Sequence, residues 1–397
     1  MPFSKQETTA LKTIASLYLV RMTGLFMVLP VLSLYGQNLQ GATPLLLGVA
    51  LGIYGLAQAA LQIPFGAASD RFGRRSLLVV GFSLFIGGSL ICAGAESVYT
   101  LIIGRLLQGA GAVSAVLLAL VSDQISEKNR TISMAIIGVT IGISFGFSII
   151  VGPLLASQLG GLETIFYVNS ALGILALVLV LFVIREPLLD AEDTKAKRLV
   201  RGSLKTALVP DLLRLDLGIF SLHFMQMCIW VSVPGILLGQ LGIALEKHWM
   251  VYLASVGGGF ILMVPFMRMW DKRGQNRRAI MAAISVCGIS MLMMGLGQTP
   301  MMFLLGLFLF FWGFNLLEAT LPSTVTKVAD NANKGAATGV YSTCQFLGVF
   351  FGGVTGGWLL SRFDSHSVFY VSAVLSLIWL LVAMSGKNVG SSLKSDA

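Results

Sequence analysis

Glu318 is the only acid deep in an apolar stretch of this chain, and His223 lies inside another. A carboxyl and an imidazole in such places suit reversible proton binding, because each can change charge without another reagent. An uncompensated charge at the centre of a bilayer costs about 2.5–3.5 kcal/mol or more, so Glu318 is expected to face a cavity or to hold a proton. The alternative is a structural pair with a nearby polar group. His223 belongs to the residue type that titrates near physiological pH. It either joins Glu318 in a coupled proton site or is a core histidine hydrogen-bonded to backbone. Helical spacing puts Phe311, Phe314 and Asn315 on the face of Glu318, and Gln226, Met227 and Trp230 on the face of His223. That aromatic wall suits a lipophilic substrate, or is apolar filler against lipid. Arg21 and Arg105 also fall inside apolar runs, where their cost makes them more than incidental. Arg21 can bind an anionic group or neutralise Glu318. Tyr54, Gln58, Tyr341 and Gln345 add mixed polar faces that either line a cavity or hold helices together.

The elements that must position these residues are helices in lipid. The chain has 397 residues, 56% hydrophobic and 11% charged, with a mean hydropathy of +0.85; soluble domains carry about 25% charged residues. Twelve apolar segments follow one another, at 13–37, 45–67, 76–94, 98–121, 132–157, 163–184, 214–239, 248–269, 279–297, 300–324, 336–360 and 367–385. Each is near the roughly 20 residues that cross a bilayer. The expected fold is all-α and integral to the membrane, with twelve transmembrane helices. Of the 27 Lys and Arg residues, only Lys247 and Arg362 fall in outer loops and only Arg21 and Arg105 well inside membrane segments, away from their ends, if the N-terminus is cytoplasmic. The asymmetry puts both termini on the cytoplasmic side. The net charge of +9 is then a matter of topology, and nucleic acid is not an expected partner. The polar stretch Met1–Lys12 precedes a run long enough to span, so it is expected to belong to a signal anchor rather than a cleaved peptide. Cys92, Cys228, Cys287 and Cys344 lie in apolar runs without metal-ligand spacing and read as packing residues, with no disulfide framework.

One long, basic connection at 187–213 divides the chain into a six-helix bundle at 1–186 and a second at 214–386, followed by a polar tail at 387–397 expected to be disordered. Within the connection, Lys195–Lys205 either lies on the lipid surface as a basic amphipathic helix or is a solvated tether. Between the second and third segments stands Gly66-x-x-x-Asp70-Arg71-x-Gly73-Arg74-Arg75, a composition that suits a tight turn just outside a membrane. Pro64-Phe65, Asp70-Arg71 and Gly73 recur as Pro265-Phe266, Asp271-Lys272 and Gly274, each shifted by the same 201 residues. Duplication of one topological unit is the simplest explanation, and internal symmetry of this kind marks transporters. The copy has Gln275 and Asn276 where the first has paired arginines.

Six plus six helices, a basic central loop and this glycine–aspartate–arginine segment resemble the major facilitator superfamily over nearly the whole chain. Arg105-Leu-Leu-Gln108-Gly109-Ala-Gly111 resembles that family's second motif, and Gly152-Pro153 the core of its antiporter motif. Ser148, Ala156 and Ser157 stand where glycines are usual in the latter, which keeps small residues but departs from the pattern. Within the superfamily the stretches around Arg21–Val31 and Asn315–Ser323 resemble the YajR-type drug/proton antiporters. The resemblance implies that the motif acid and second arginine pair with an acid at the cytoplasmic end of helix four, a place Asp123 fills. It also implies that Asp70 faces the N-terminus of helix eleven when the halves close on the cytoplasmic side. A carboxylate so placed gains about 0.3–1 kcal/mol. The latch would then comprise Gly66, Asp70, Arg71, Gly73, Arg74, Arg75 and Asp123. Arg71 and Arg75 are equally accounted for by the positive-inside rule alone. Arg105 matches a motif arginine that the family implicates in proton coupling, and Gly152 and Pro153 are implied to pack helices.

The expected function is secondary active transport in the cell inner membrane, by proton-coupled efflux of small lipophilic compounds through alternating access. Expected partners are the substrate, protons and the lipid bilayer, in a chain acting as a monomer. No phosphate-binding loop, nucleophile elbow or His/Cys cluster appears, so an enzyme, a cofactor or a metal is not expected. Two alternatives stay open: a uniporter or symporter of an anionic metabolite, which Arg21 and Arg105 would suit, and a non-transporting membrane receptor of the same fold.

Overall fold

The computed structural model describes residues 3–184, 208–272, 276–297, 299–329 and 334–385. Among them are twelve helices long and apolar enough to cross a membrane. In the first half these are α1 (Lys5–Asn38), α2 (Pro44–Phe72), α3 (Arg74–Ala93), α4 (Val98–Gln124), α5 (Glu127–Leu159) and α6 (Leu162–Val183). In the second they are α7 (Pro210–Gly239), α8 (Leu245–Trp270), α9 (Arg277–Leu296), α10 (Pro300–Val328), α11 (Lys334–Arg362) and α12 (Ser365–Ser385). Large apolar side chains such as Phe182, Ile261 and Met301 are exposed, as suits a surface solvated by lipid. The protein is an all-α membrane protein with the twelve spans the sequence leads one to expect.

Two compact units are present: Met1–Arg198 with Ile243–Trp249, and Leu199–Gly242 with Met250–Ala397. In the first, α1 packs on α5, α2 on α4, and α3 on both α4 and α6. In the second, α7 packs on α11, α8 on α10, and α9 on both α10 and α12. The pairing is the same after a shift of six helices, which is the structural form of the duplication read from Asp70 and Asp271. Both units use glycine where their first and fifth helices touch. A Cβ on Gly152 of α5 would stand 2.6 Å from the Met27 carbonyl oxygen of α1. On α11, Cβ atoms at Gly348 and Gly352 would stand 2.3 and 2.4 Å from the carbonyl oxygens of Phe220 and Phe224 on α7. Only a residue without a side chain allows such approach, the usual solution in lipid, where helix association relies on close packing.

Several boundaries differ from the expected ones for physical reasons. Helix α1 begins at Lys5, well before residue 13, because Ser4 and Glu7 form a capping box that satisfies its first amides. Helix α7 begins at Pro210 rather than 214; proline at a first helical position supplies a preset φ and lacks only an amide that would be orphaned anyway. The expected connection at 187–213 therefore lies outside the described residues up to 207 and is helical from Pro210, while the tail at 387–397 lies wholly outside them. Helix α4 is interrupted at Gly111 and Ala112, between Val98–Ala110 and Val113–Gln124. Gly111 sits so close to α3 that a Cβ would stand 2.2 Å from the Gly81 carbonyl oxygen. Helix α8 carries a π-helical turn at Leu253–Gly257, and Asn315 Nδ2 of α10 donates to the Val256 carbonyl in it at 3.2 Å. A side chain thus binds a carbonyl in the turn where the regular ladder is altered.

Candidate functional site

The segment Gly66–Arg75 is less loop than its composition suggests. Gly66 through Phe72 are the last two turns of α2, Gly73 alone makes the turn, and Arg74 starts α3. Gly73 has φ +92°, a backbone conformation in which glycine escapes the steric cost other residues meet. The turn brings Arg74 Nη1 to 2.6 Å from Asp70 Oδ1, and its Nε to 2.9 Å from Asp123 Oδ2 at the end of α4. The same guanidinium donates to Ser69 Oγ, which in turn donates to the Gly66 carbonyl. One arginine, with its side chain 11% exposed, therefore ties together the ends of α2, α3 and α4. Arg75 Nη2 donates instead to the Leu181 carbonyl of α6 at 2.6 Å. Arg71 lies over the ring of Phe72, 5.3 Å from its centroid. Asp271 and Lys272 of the second copy end their helix, with Gly274 and Gln275 outside the described residues.

Two arginines are buried in the first bundle, each 1% exposed. Arg21 of α1 donates to Ser114 Oγ of α4 and, at 2.9 Å, to the Tyr54 hydroxyl of α2. Arg105 of α4 donates to the Ala50 carbonyl of α2 at 3.2 Å and to Gln108 Oε1 at 2.9 Å. Gln108 passes the network on to Ser89 of α3. The Arg105 guanidinium also lies 5.0 Å from the centroid of the Tyr54 ring, so one tyrosine touches both cations. Gln58 Nε2 donates to the Gly109 carbonyl at 2.7 Å, where a Cβ on Gly109 would stand 2.4 Å from the Tyr54 carbonyl oxygen. Neither arginine has a carboxylate at ion-pair distance among the described residues. Their positive charge is balanced by dipoles alone, a costly arrangement that leaves both able to attract an anion.

The second bundle gathers the opposite set. His223 of α7, Glu318 of α10 and Gln345 of α11 meet at one point. Gln345 Nε2 is 2.8 Å from His223 Nε2 and 3.4 Å from Glu318 Oε1. Glu318 Oε2 is 3.8 Å from His223 Nε2. The other ring nitrogen, His223 Nδ1, is 3.2 Å from the Ile219 carbonyl one turn earlier. A carbonyl only accepts, and an amide NH2 only donates, so this set of partners assigns a neutral imidazole with its proton on Nδ1. The ring of Phe314 meets that of His223 edge-on at 5.7 Å. Trp230, Met227 and Phe311 are fully buried, with Trp230 edge-on to Tyr252 and tilted against Phe311. Gln226 and Tyr341 are buried as well, and Asn315 is turned to the π-helical segment of α8.

Glu318 is not alone as a deep acid. Asp216, in the second turn of α7, is 4% exposed, and its Oδ2 is buried without a hydrogen-bond partner among the described residues. It escapes a reading of sequence because a helix begun at 214 leaves it at the rim; Pro210 is the signal that moves it inward. Ser89 and Ser114 are missed too, since serine in an apolar run is usually a neutral packing residue. Glu7, in the polar N-terminal stretch, accepts from the backbone and hydroxyl of Ser126 and from Asn129, holding the start of α1 to the α4–α5 junction.

Gly152 and Pro153 both lie within α5. Nearby, Ser148 Oγ donates to the Thr23 carbonyl of α1 at 3.0 Å. A serine here keeps the helices close by a hydrogen bond.

The Major Facilitator Superfamily model matches residues 14–214 and 215–394. The chain belongs to the Major Facilitator Superfamily of transporters. Within that family it is 40% identical to the Inner membrane transport protein YajR of Escherichia coli (strain K12) over 389 residues, covering 98% of this chain and 84% of that protein. A more limited similarity, 30% over 180 residues, relates it to the Multidrug resistance protein MdtL of Klebsiella pneumoniae, covering 43% of this chain and 44% of that one. Among solved structures, a D-xylose-proton symporter superposes with a TM-score of 0.75 at 17% identity, over 96% of this chain and 97% of that chain; this likeness bears on the fold alone.

Proposed function

We propose that this superfamily member is a proton-coupled exporter of small lipophilic compounds in the cell inner membrane, with both termini cytoplasmic and one chain as the working unit. The observation that carries the reading is the amide of Gln345, which donates to both the imidazole of His223 and the carboxylate of Glu318. A proton arriving on His223 Nε2 sets a donor against a donor, expels the Gln345 amide and leaves an imidazolium beside the Glu318 carboxylate. A proton arriving on Glu318 instead leaves a neutral pair. The site thus has two ways of holding one proton, and substrate entry competes with protonation. Alternating access of the two halves then exchanges proton for substrate. The Asp70–Arg74–Asp123 network at the ends of α2, α3 and α4 biases the balance between states. The inner-membrane and multidrug-resistance names of relatives support the location and the direction of transport.

The protein reconstituted in vesicles with a pH gradient tests this reading against a panel of lipophilic cations and neutral dyes. Gradient-dependent movement of at least one compound, with proton counterflow, is expected. Transport indifferent to the gradient would overturn it. The buried pair Arg21 and Arg105 favours a second reading, symport or uniport of an anionic metabolite; uptake of organic anions that is lost in Arg21→Gln would select it.

A further inference from the structure

We propose that Asp216 is a second proton-binding carboxyl of the second bundle. As a complement to the Glu318 site it rests on the proton-carrier reading above; as a proton site it stands alone.

Asp216 and His223 lie seven residues apart on α7, two turns on one face, which is about 10 Å along the axis. Tyr341 and Gln345 are spaced one turn apart on α11, the helix packed most closely on α7. Gly348 against Phe220 and Gly352 against Phe224 set the register of the α7–α11 seam, which puts Cys344 opposite Asp216, with Tyr341 and Gln345 flanking it.

Asp216 is 4% exposed, and among the described residues its Oδ2 has no hydrogen-bond partner. Besides α11, with Lys334, Tyr341, Cys344 and Arg362, two helices pack on α7: α10, with Glu318 and Lys327, and α12, with His366 and Tyr370. The latter two sit at the far end of α12, where Ser365 meets Gln240 at the opposite end of α7. On α7 itself, Arg214 is paired with Asp211 at the exposed helix start. No cation is at ion-pair distance from Asp216 among the described residues. A carboxylate with that surrounding pays for its charge with nothing in return. A proton on Oδ2 removes the charge and with it that cost.

The consequence is that the bundle holds two exchangeable protons, one in the second turn of α7 and one deeper, at the His223–Glu318 pair. Infrared difference spectra between acid and alkaline pH, recorded on the full chain in lipid nanodiscs, test this without a substrate. The protonated-carboxyl band is expected to contain a component lost in Asp216→Asn and shifted in Asp216→Glu. A different component is expected to be lost in Glu318→Gln. A band unchanged in both Asp216 variants would overturn the proposal. If Asp216→Asn does not fold, Asp216→Glu decides: a shifted component supports the proposal and an unshifted one overturns it. Loss of a component in Asp216→Asn with none in Glu318→Gln would sink the Glu318 reading and leave Asp216 standing.

Discussion

The two bundles share a packing plan and differ in the sign of what they bury. Helices α1 and α5 meet through Gly152 as α7 and α11 meet through Gly348 and Gly352. Yet the first bundle buries Arg21 and Arg105 among hydroxyls and carbonyls, and the second buries Asp216 and His223 and partly buries Glu318. Backbone approach at 2.3–2.6 Å from a virtual Cβ leaves no freedom at those glycines. A polar position two turns away is bound by no such limit. Duplication therefore fixes how helices touch and leaves the buried charge free to specialise, cationic in one half and protonatable in the other.

The largest expected effect breaks the shared part. Gly152→Leu and Gly352→Leu each force a side chain into a backbone carbonyl, and overpacking of this kind costs about 1–3 kcal/mol or more. Both variants are expected to lose folded protein by detergent size-exclusion chromatography; normal yield in either would show that the seams are looser than their geometry. The next sharpens the difference. Arg105→Met removes a buried charge together with its donors, two effects that offset each other in stability. Transport is expected to fall by at least about tenfold, equal to about 1.4 kcal/mol of barrier, with the thermal midpoint little changed. A large loss of midpoint with transport intact would make the arginine structural.

Smaller effects concern the ends of the helices. Arg74→Gln leaves the carboxylates of Asp70 and Asp123 without their shared donor, a loss of about 1–3 kcal/mol for a partly buried group. The thermal midpoint should fall and become more sensitive to salt; no change would mean that water replaces the guanidinium. Smallest of all is Gly66→Ala. Its Cβ would meet only Ala115 Cβ, at 3.7 Å, an ordinary contact, and alanine in a helix is favoured over glycine by about 0.5–1 kcal/mol. The variant should fold at least as well as the native chain. A drop in its thermal midpoint would contradict the packing described here.

Much of this architecture is legible in the residues. Twelve apolar runs and the recurrence of Pro64-Phe65 and Asp70 at a fixed offset lead to twelve helices in two related sets, because span length is set by the bilayer itself. Helix interruptions are not legible in the same way. The break at Gly111 and the π-helical turn at Leu253–Gly257 arise from contacts with Gly81 and Asn315, which are distant in sequence. The same holds at the site. Glu318 and His223 announce themselves by cost. Gln345 reads as one weak polar residue among several until α11 is seen to carry it between them. Asp216 is hidden by a helix boundary four residues off, and the serines by their ordinariness.

Under the proposed function, Glu318 is where the proton is carried. Reconstituted Glu318→Gln separates carrying from moving, since a permanently neutral side chain still permits the substrate-loaded protein to change state. With a compound found to be transported, gradient-driven efflux is expected to be lost while exchange of labelled for unlabelled compound across the membrane persists. Gradient-driven efflux at the native rate in that variant would contradict it.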